Sequence, residues 1–189
     1  MKKTTFLSLA LLCSSLTNEL YAQDVNLDED AKLKKYHAVL TKRPESSNLF
    51  EKFYSNWLSK YSEESLEKFL KNSADDGAVA DMQIYAYFMM QRGREVEALK
   101  VLTSAVASDG KNAQVYLDRA RVYSRLLDFD KAVLDVDEAL KLESEDDLFT
   151  LKANKLKGRY LTRQGLANEA VEHWSKPVSY THLTLPTKA

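Results

Sequence analysis

Residues 82–112 read MQIYAYFMMQRGREVEALKVLTSAVASDGKN, and residues 116–146 read YLDRARVYSRLLDFDKAVLDVDEALKLESED. Set one above the other, they share a frame. Ala86 falls on Ala120, Ala98 on Ala132 and Ala105 on Ala139, each pair 34 residues apart. Leu99 with Val133, and Leu102 with Val136, keep the same register. Small residues fixed at such a period predict pairs of antiparallel helices, with alanines where two helices approach most closely and larger apolar residues around them. One such pair cannot bury its apolar side alone, so successive pairs must stack. Gly93 stands between the halves of the first stretch, where a turn favours a residue tolerant of positive φ. The second stretch turns at Leu127 and Asp128 with no glycine.

Working outward, the pattern continues in FTLKANKLKGRYLTRQGLANEAVEHW, residues 149–174. Here Ala170 follows Ala132 by 38 residues, four more than the period. Four residues are about one helical turn, so they lengthen the unit's first helix without rotating its apolar face. Upstream, Leu33, Tyr36 and Leu40 form a stripe before Pro44. Phe50, Phe53, Trp57 and Tyr61 form another at the spacing of a buried helical face. Ser62, followed by Glu63 and Glu64, is a good helix start, since the hydroxyl can cap and the acids suit the positive end. Leu66, Phe69 and Leu70 continue that helix. Residues 23–47 then read as a lone covering helix, and 48–176 as repeats over 48–77, 79–112, 113–146 and 147–176. A right-handed all-α solenoid of antiparallel helix pairs is the expected fold class.

At these residues the sequence resembles the tetratricopeptide repeat (TPR) family. The unit from Tyr116 matches its pattern through Tyr116, Ala120, Tyr123, Phe129, Ala132, Ala139 and Leu140. It departs at Ser144, where proline is usual, and at Arg119, where leucine is commoner. In the preceding unit Ala86, Gly93, Ala98 and Ala105 match, while Met82 and Met89 replace aromatics. In the third, Gly158 takes the small position, Gly165 the turn, Ala170 the opening of the second helix and Trp174 the large residue four later.

The two ends of the chain read differently from its middle. Met1, Lys2 and Lys3 precede the apolar TTFLSLALLCSSLT and then NELYAQD, the order of a secretory signal peptide cut after Ala22. Residues 1–22 are therefore expected to direct export, making the mature protein periplasmic or secreted, with no integral membrane span. A lipoprotein signal ending at Cys13 is the alternative, although Leu12 is large for the residue before such a cysteine. Cleavage after Ala22 leaves no cysteine for a disulfide, a thiolate metal site or a nucleophile. At the other end VSYTHLTLPT, residues 178–187, looks like one translated frame of a common sequencing-transposase adapter. Residues 177–189 are accordingly expected to be a non-native tail. Natural sequence would then end near Lys176 with an array face left open, and self-association through that face is expected.

Composition sets the function classes. With 44% apolar and 29% charged residues, the chain reads as globular, and only 5 Gly and 3 Pro suit helices joined by short turns. A formal net charge of -1 gives no bias toward nucleic acid. His37 and His173 lie far apart and outside any metal-binding spacing, so each reads as a surface helix residue. No phosphate loop, dinucleotide fingerprint or nucleophile elbow occurs, and no cofactor or metal is implied. The acid run from Glu143 to Asp147 lacks a calcium loop's alternation and central glycine, and reads as a solvated turn feeding the next helix. Tyr85 to Met90 reads mainly as core.

The resemblance also implies a concave groove lined by first-helix positions. These carry Ala80, Gln83, Tyr87, Met90 and Gln91, then Gln114, Leu117, Arg121, Ser124 and Arg125, then Lys152, Lys155, Arg159, Thr162 and Arg163. Guanidinium groups pair well with carboxylates, so these positions suit a protein or peptide partner with an acidic segment or chain terminus; the alternative reading is plain solvated helix surface. The family's carboxylate-clamp asparagines are absent. The expected function is an exported, non-catalytic protein-interaction scaffold. The alternatives are the N-terminal regulatory array of a larger enzyme or signalling protein, and a structural role in an envelope assembly.

Overall fold

The computed structural model describes residues 25, 27 and 30–174. Residues 1–22 and 177–189, read above as leader and tail, lie outside them. Among the described residues there are nine α-helices and no strand. The chain divides between Arg92 and Gly93 into two compact units. That division falls inside the expected repeat 79–112, between its two helices.

The first unit holds α1 (Ala31–Leu40), α2 (Ser47–Leu58), α3 (Glu63–Asp75) and α4 (Val79–Gln91). Its helices start where the sequence offers caps. Asp30 accepts from the amides of Lys32 and Leu33, Ser46 from Leu49, and Ser62 from Ser65, each satisfying donors that a first helical turn leaves open. Phe50, Phe53 and Trp57 are at most 2% exposed. The rings of Phe53 and Trp57 meet Phe69 of α3, with Trp57 and Phe69 centroids 5.0 Å apart. Trp57 donates its indole N–H to Ser65 Oγ at 3.0 Å, so the ring is buried without leaving its polar atom unpaired. In α4, Tyr85, Ala86, Phe88, Met89 and Met90 are all buried, as core rather than an exposed greasy patch.

His37 departs from the surface reading. Its side chain is 17% exposed, lies edge-on to Phe69 at 5.1 Å, and makes a 2.8 Å hydrogen bond through Nε2 to Asp81 of α4. It joins the first helix to the fourth.

The second unit holds α5 (Glu95–Ser108), α6 (Ala113–Arg125), α7 (Phe129–Leu142), α8 (Asp147–Arg163) and α9 (Ala167–Trp174). Ala98, Ala105, Ala120, Ala132 and Ala139 are all 0% exposed, which is what close helix approach at the repeated alanines requires. Ala113, Leu117 and Ala120 of α6, Ala132, Val136 and Ala139 of α7, and Ala153, Leu156 and Tyr160 of α8 form one core cluster. The four extra residues do lengthen a helix: α8 has 17 residues against 13 in α6. The acidic run is exposed, and Asp146 caps α8 by accepting from Leu148 and Phe149.

The turns after α4, α6 and α8 place Gly93, Leu127 and Gly165 at φ 69°, 64° and 86°. After α6, Asp128 N–H bonds back to Tyr123 O at 2.9 Å and Leu127 N–H to Ser124 O at 3.3 Å. After α8, Leu166 and Gly165 make the same two bonds to Leu161 and Thr162. This closure needs a left-handed residue, and α6 supplies it with a leucine.

Candidate functional site

The predicted groove positions do not all reach solvent. In the first unit Gln83 is 4% exposed, Tyr87 is half-buried with its ring edge on Phe50 at 4.8 Å, and Gln91 is exposed. In the second unit Leu117 is 0% exposed within the core cluster. Gln83 and Leu117 therefore cannot offer a ligand any surface, and the expectation that they line a groove is corrected. The helical frame placed them one step toward the core, where Leu117 packs against small neighbours on α7.

The polar positions of α6 and α8 do come together. Lys152 donates to Gln114 Oε1 at 3.0 Å, and Gln114 donates to Asp118 Oδ1 at 2.8 Å. Arg121 donates to the same Asp118 oxygen. Arg125 reaches Glu95 of α5 at 3.4 Å. Thus Arg121 and Arg125 each have a carboxylate from their own chain. Asp118, a buried acid, was not among the expected groove residues; its signal is the i, i+3 spacing to Arg121.

Beyond this network lie Lys155, Arg159 and Arg163, spaced four apart on one face of α8 and all exposed. Among the described residues none of the three has a carboxylate partner. Tyr160 of the same helix is 2% exposed. Burial pushes its phenol up, while Arg121, a hydrogen bond with Ser124, Arg159 and Arg163 pull it back. Thr162 is occupied within its own helix, donating to Gly158 O at 2.8 Å.

Another cation of α6 is turned the other way. Arg119 grips Asp135 of α7 with two parallel bonds of 2.8 and 2.7 Å, the side chains 15% and 8% exposed. Its guanidinium also lies 5.5 Å from the Tyr116 ring centroid and 5.9 Å from that of Tyr123. The residue that departs from the repeat pattern is a helix-to-helix clasp rather than a ligand contact.

Chemically, the cations of the α8 ladder suit anionic groups. Among the described residues no group of three or more His, Cys, Asp and Glu is placed to hold a metal ion. No described helix is long and apolar enough to cross a membrane. Successive ladder positions rise by about 6 Å along the helix, and alternate side chains of an extended peptide recur at roughly 6.6–6.8 Å. A strand-like peptide with an acid at every second residue therefore matches the spacing. Lys155 supplies a mobile point charge, and the two arginines supply forks for bidentate pairing.

No protein-family model matches the chain. Solved structures do resemble it. One crystal structure of MamA aligns with a TM-score of 0.56 at 19% identity, covering 77% of this chain and 84% of that one. A second MamA structure aligns at 0.55 and 19% identity, covering 92% and 90%. MamA from AMB-1 aligns at 0.54 and 16% identity, covering 77% and 82%. Likeness at these identities shows the fold, an all-α solenoid of TPR-like antiparallel helix pairs, and says nothing of the ligand.

Proposed function

We propose that the protein is an exported, non-catalytic interaction scaffold that binds an acidic, extended peptide segment along α8. The observation carrying this reading is the exposed Lys155, Arg159 and Arg163 ladder, which has no carboxylate of its own among the described residues. Most other cations of the second unit are already committed: Arg119 to Asp135, Arg121 to Asp118, Arg125 to Glu95, Lys131 to Asp128, Lys141 to Glu138 and Lys157 to Asp137. A visiting acid would meet the α8 ladder without first breaking an internal pair. Export rests on the order of charged, apolar and small residues over 1–22.

The test uses a fluorescent peptide, Glu-Ser-Glu-Ser-Glu-Ser, and its Gln-for-Glu counterpart in an anisotropy titration. The acidic peptide is expected to bind and the neutral one not. Arg159→Glu together with Lys155→Glu is expected to weaken binding at least tenfold, and Arg121→Glu, whose charge is already half-answered by Asp118, by less. Affinity unchanged in the double variant would remove the proposal.

A further inference from the structure

Unit one has a cleft that the scaffold reading does not use. Between α1 and α2 lies a cavity of about 500 Å³, lined by Lys32, Lys35, Tyr36 and Val39 of α1 and by Leu49 and Lys52 of α2. The volume is within the range of small-molecule pockets. The four α1 residues follow the i, i+3, i+4, i+7 spacing and so share one face of that helix. It is not the face that carries Leu33 and Leu40 into the core. Leu49 and Lys52, three apart, face it from α2. Val39 is 40% exposed, and Tyr36 and Leu49 are half-buried, so apolar side chains form a floor that water still reaches.

Charge distinguishes this cleft from an ordinary gap between helices. Among the described residues its lining contains three lysines and no carboxylate. Elsewhere in the same unit lysines meet acids: Lys60 binds Asp30 and Lys71 binds Asp75. Among the described residues Lys32, Lys35 and Lys52 have no such partner. Three like charges gathered on one small opening repel one another and gain nothing from the apolar floor. An occupant with one anionic end and an apolar body relieves both conditions at once.

We infer that the α1–α2 cleft binds a single-chain anionic amphiphile, a long-chain carboxylate whose head sits among Lys32, Lys35 and Lys52 and whose chain lies on Tyr36, Val39 and Leu49. Ammonium groups on flexible stems suit a carboxylate that needs charge rather than a fixed fork. Among the described residues the floor offers no array of directed donors and acceptors such as a nucleotide base or a sugar needs. The site is separate from the α8 ladder and stands or falls without it.

The experiment is calorimetric titration of the full chain with dodecanoate below its micelle concentration, beside dodecanol, acetate and an acidic-apolar peptide, Asp-Leu-Asp-Leu-Asp. Dodecanoate is expected to bind one to one. Acetate is expected not to bind, since the head alone gains no apolar burial. Dodecanol is expected to bind at least tenfold more weakly. The triple change Lys32→Gln, Lys35→Gln and Lys52→Gln alters only exposed side chains, and is expected to reduce dodecanoate to the dodecanol level. Val39→Glu, also at an exposed position, is expected to abolish binding while the helical circular dichroism stays unchanged. Absence of dodecanoate binding, equal binding of dodecanol, or no effect of the triple change would each overturn the assignment. So would tighter binding of the peptide, which would make the cleft a peptide site.

Discussion

Leu127 shows how a single residue can be read twice. It lies 34 residues after Gly93 and repeats its backbone conformation, with φ of 64° against 69°. A left-handed leucine brings its Cβ against the following carbonyl, at a cost of about 1–2 kcal/mol. The side chain recovers little of that, since it is 72% exposed. The two-bond closure of α6 holds the residue there regardless. Leu127→Gly removes the steric cost but gives the unfolded chain more freedom, which offsets part of the gain. The expected net effect is a stabilisation of roughly 0.5–1 kcal/mol, seen as a higher urea midpoint at constant slope. An unchanged or lower midpoint would show that the leucine is not strained.

At the scale of helices, the α6–α7 hairpin rests on two kinds of contact. Fully buried alanines let the helices approach, and the Arg119–Asp135 clasp fixes them along their length. A buried pair stabilises little compared with apolar residues of like volume, yet breaking it is costly because one charge is left unanswered. Asp135→Ala is therefore expected to destabilise by about 3–5 kcal/mol. The double change Asp135→Ala with Arg119→Leu, which installs the residue commoner in the resembled family, is expected to recover most of that loss. Chemical denaturation of the two variants checks the pair; equal losses would mean that the clasp is not the cause. The hairpin also explains what the sequence pattern could not. Arg119 and Arg121 are two residues apart on α6, so they point to different sides, one into the clasp and one toward α8.

For the molecule as a whole, charge pairs decide the response to acid. Asp30 is held below the ordinary carboxylate range chiefly by its hydrogen bond from Lys60, Glu63 by Arg92, Glu97 by Arg94 and Asp128 by Lys131. Each group binds its proton less readily folded than unfolded. The stability it contributes is fully present above the unfolded value near pH ~4 and is lost as pH falls through the lower folded value. Thermal midpoints followed by circular dichroism are expected to stay level from about pH 8 to pH 5 and to drop below about pH 4. A midpoint that rises on acidification would contradict the pairings.

The repeat could be read directly, because close helix approach admits few side chains and so prints a period of alanines into the chain. The same holds for the caps at Ser62 and Asp146, which act on amides two or three residues away, and for the extra turn of α8. Contacts across many residues left no such mark. His37 meeting Asp81, Arg119 meeting Asp135, and Lys152 meeting Gln114 join residues whose separation is set by how helices pack. The resemblance supplied helix positions for a groove, but not which of them reach the surface: Gln83 and Leu117 turned inward, and Arg121 and Arg125 were answered by acids nearby.

The sequence by itself determined the helix pairs, their period and the positions where they touch, because those depend on side-chain size and local hydrogen bonding. Only the tertiary structure decided which of the described cations meet a carboxylate of the same chain, because that depends on the neighbour that packing brings to each charge.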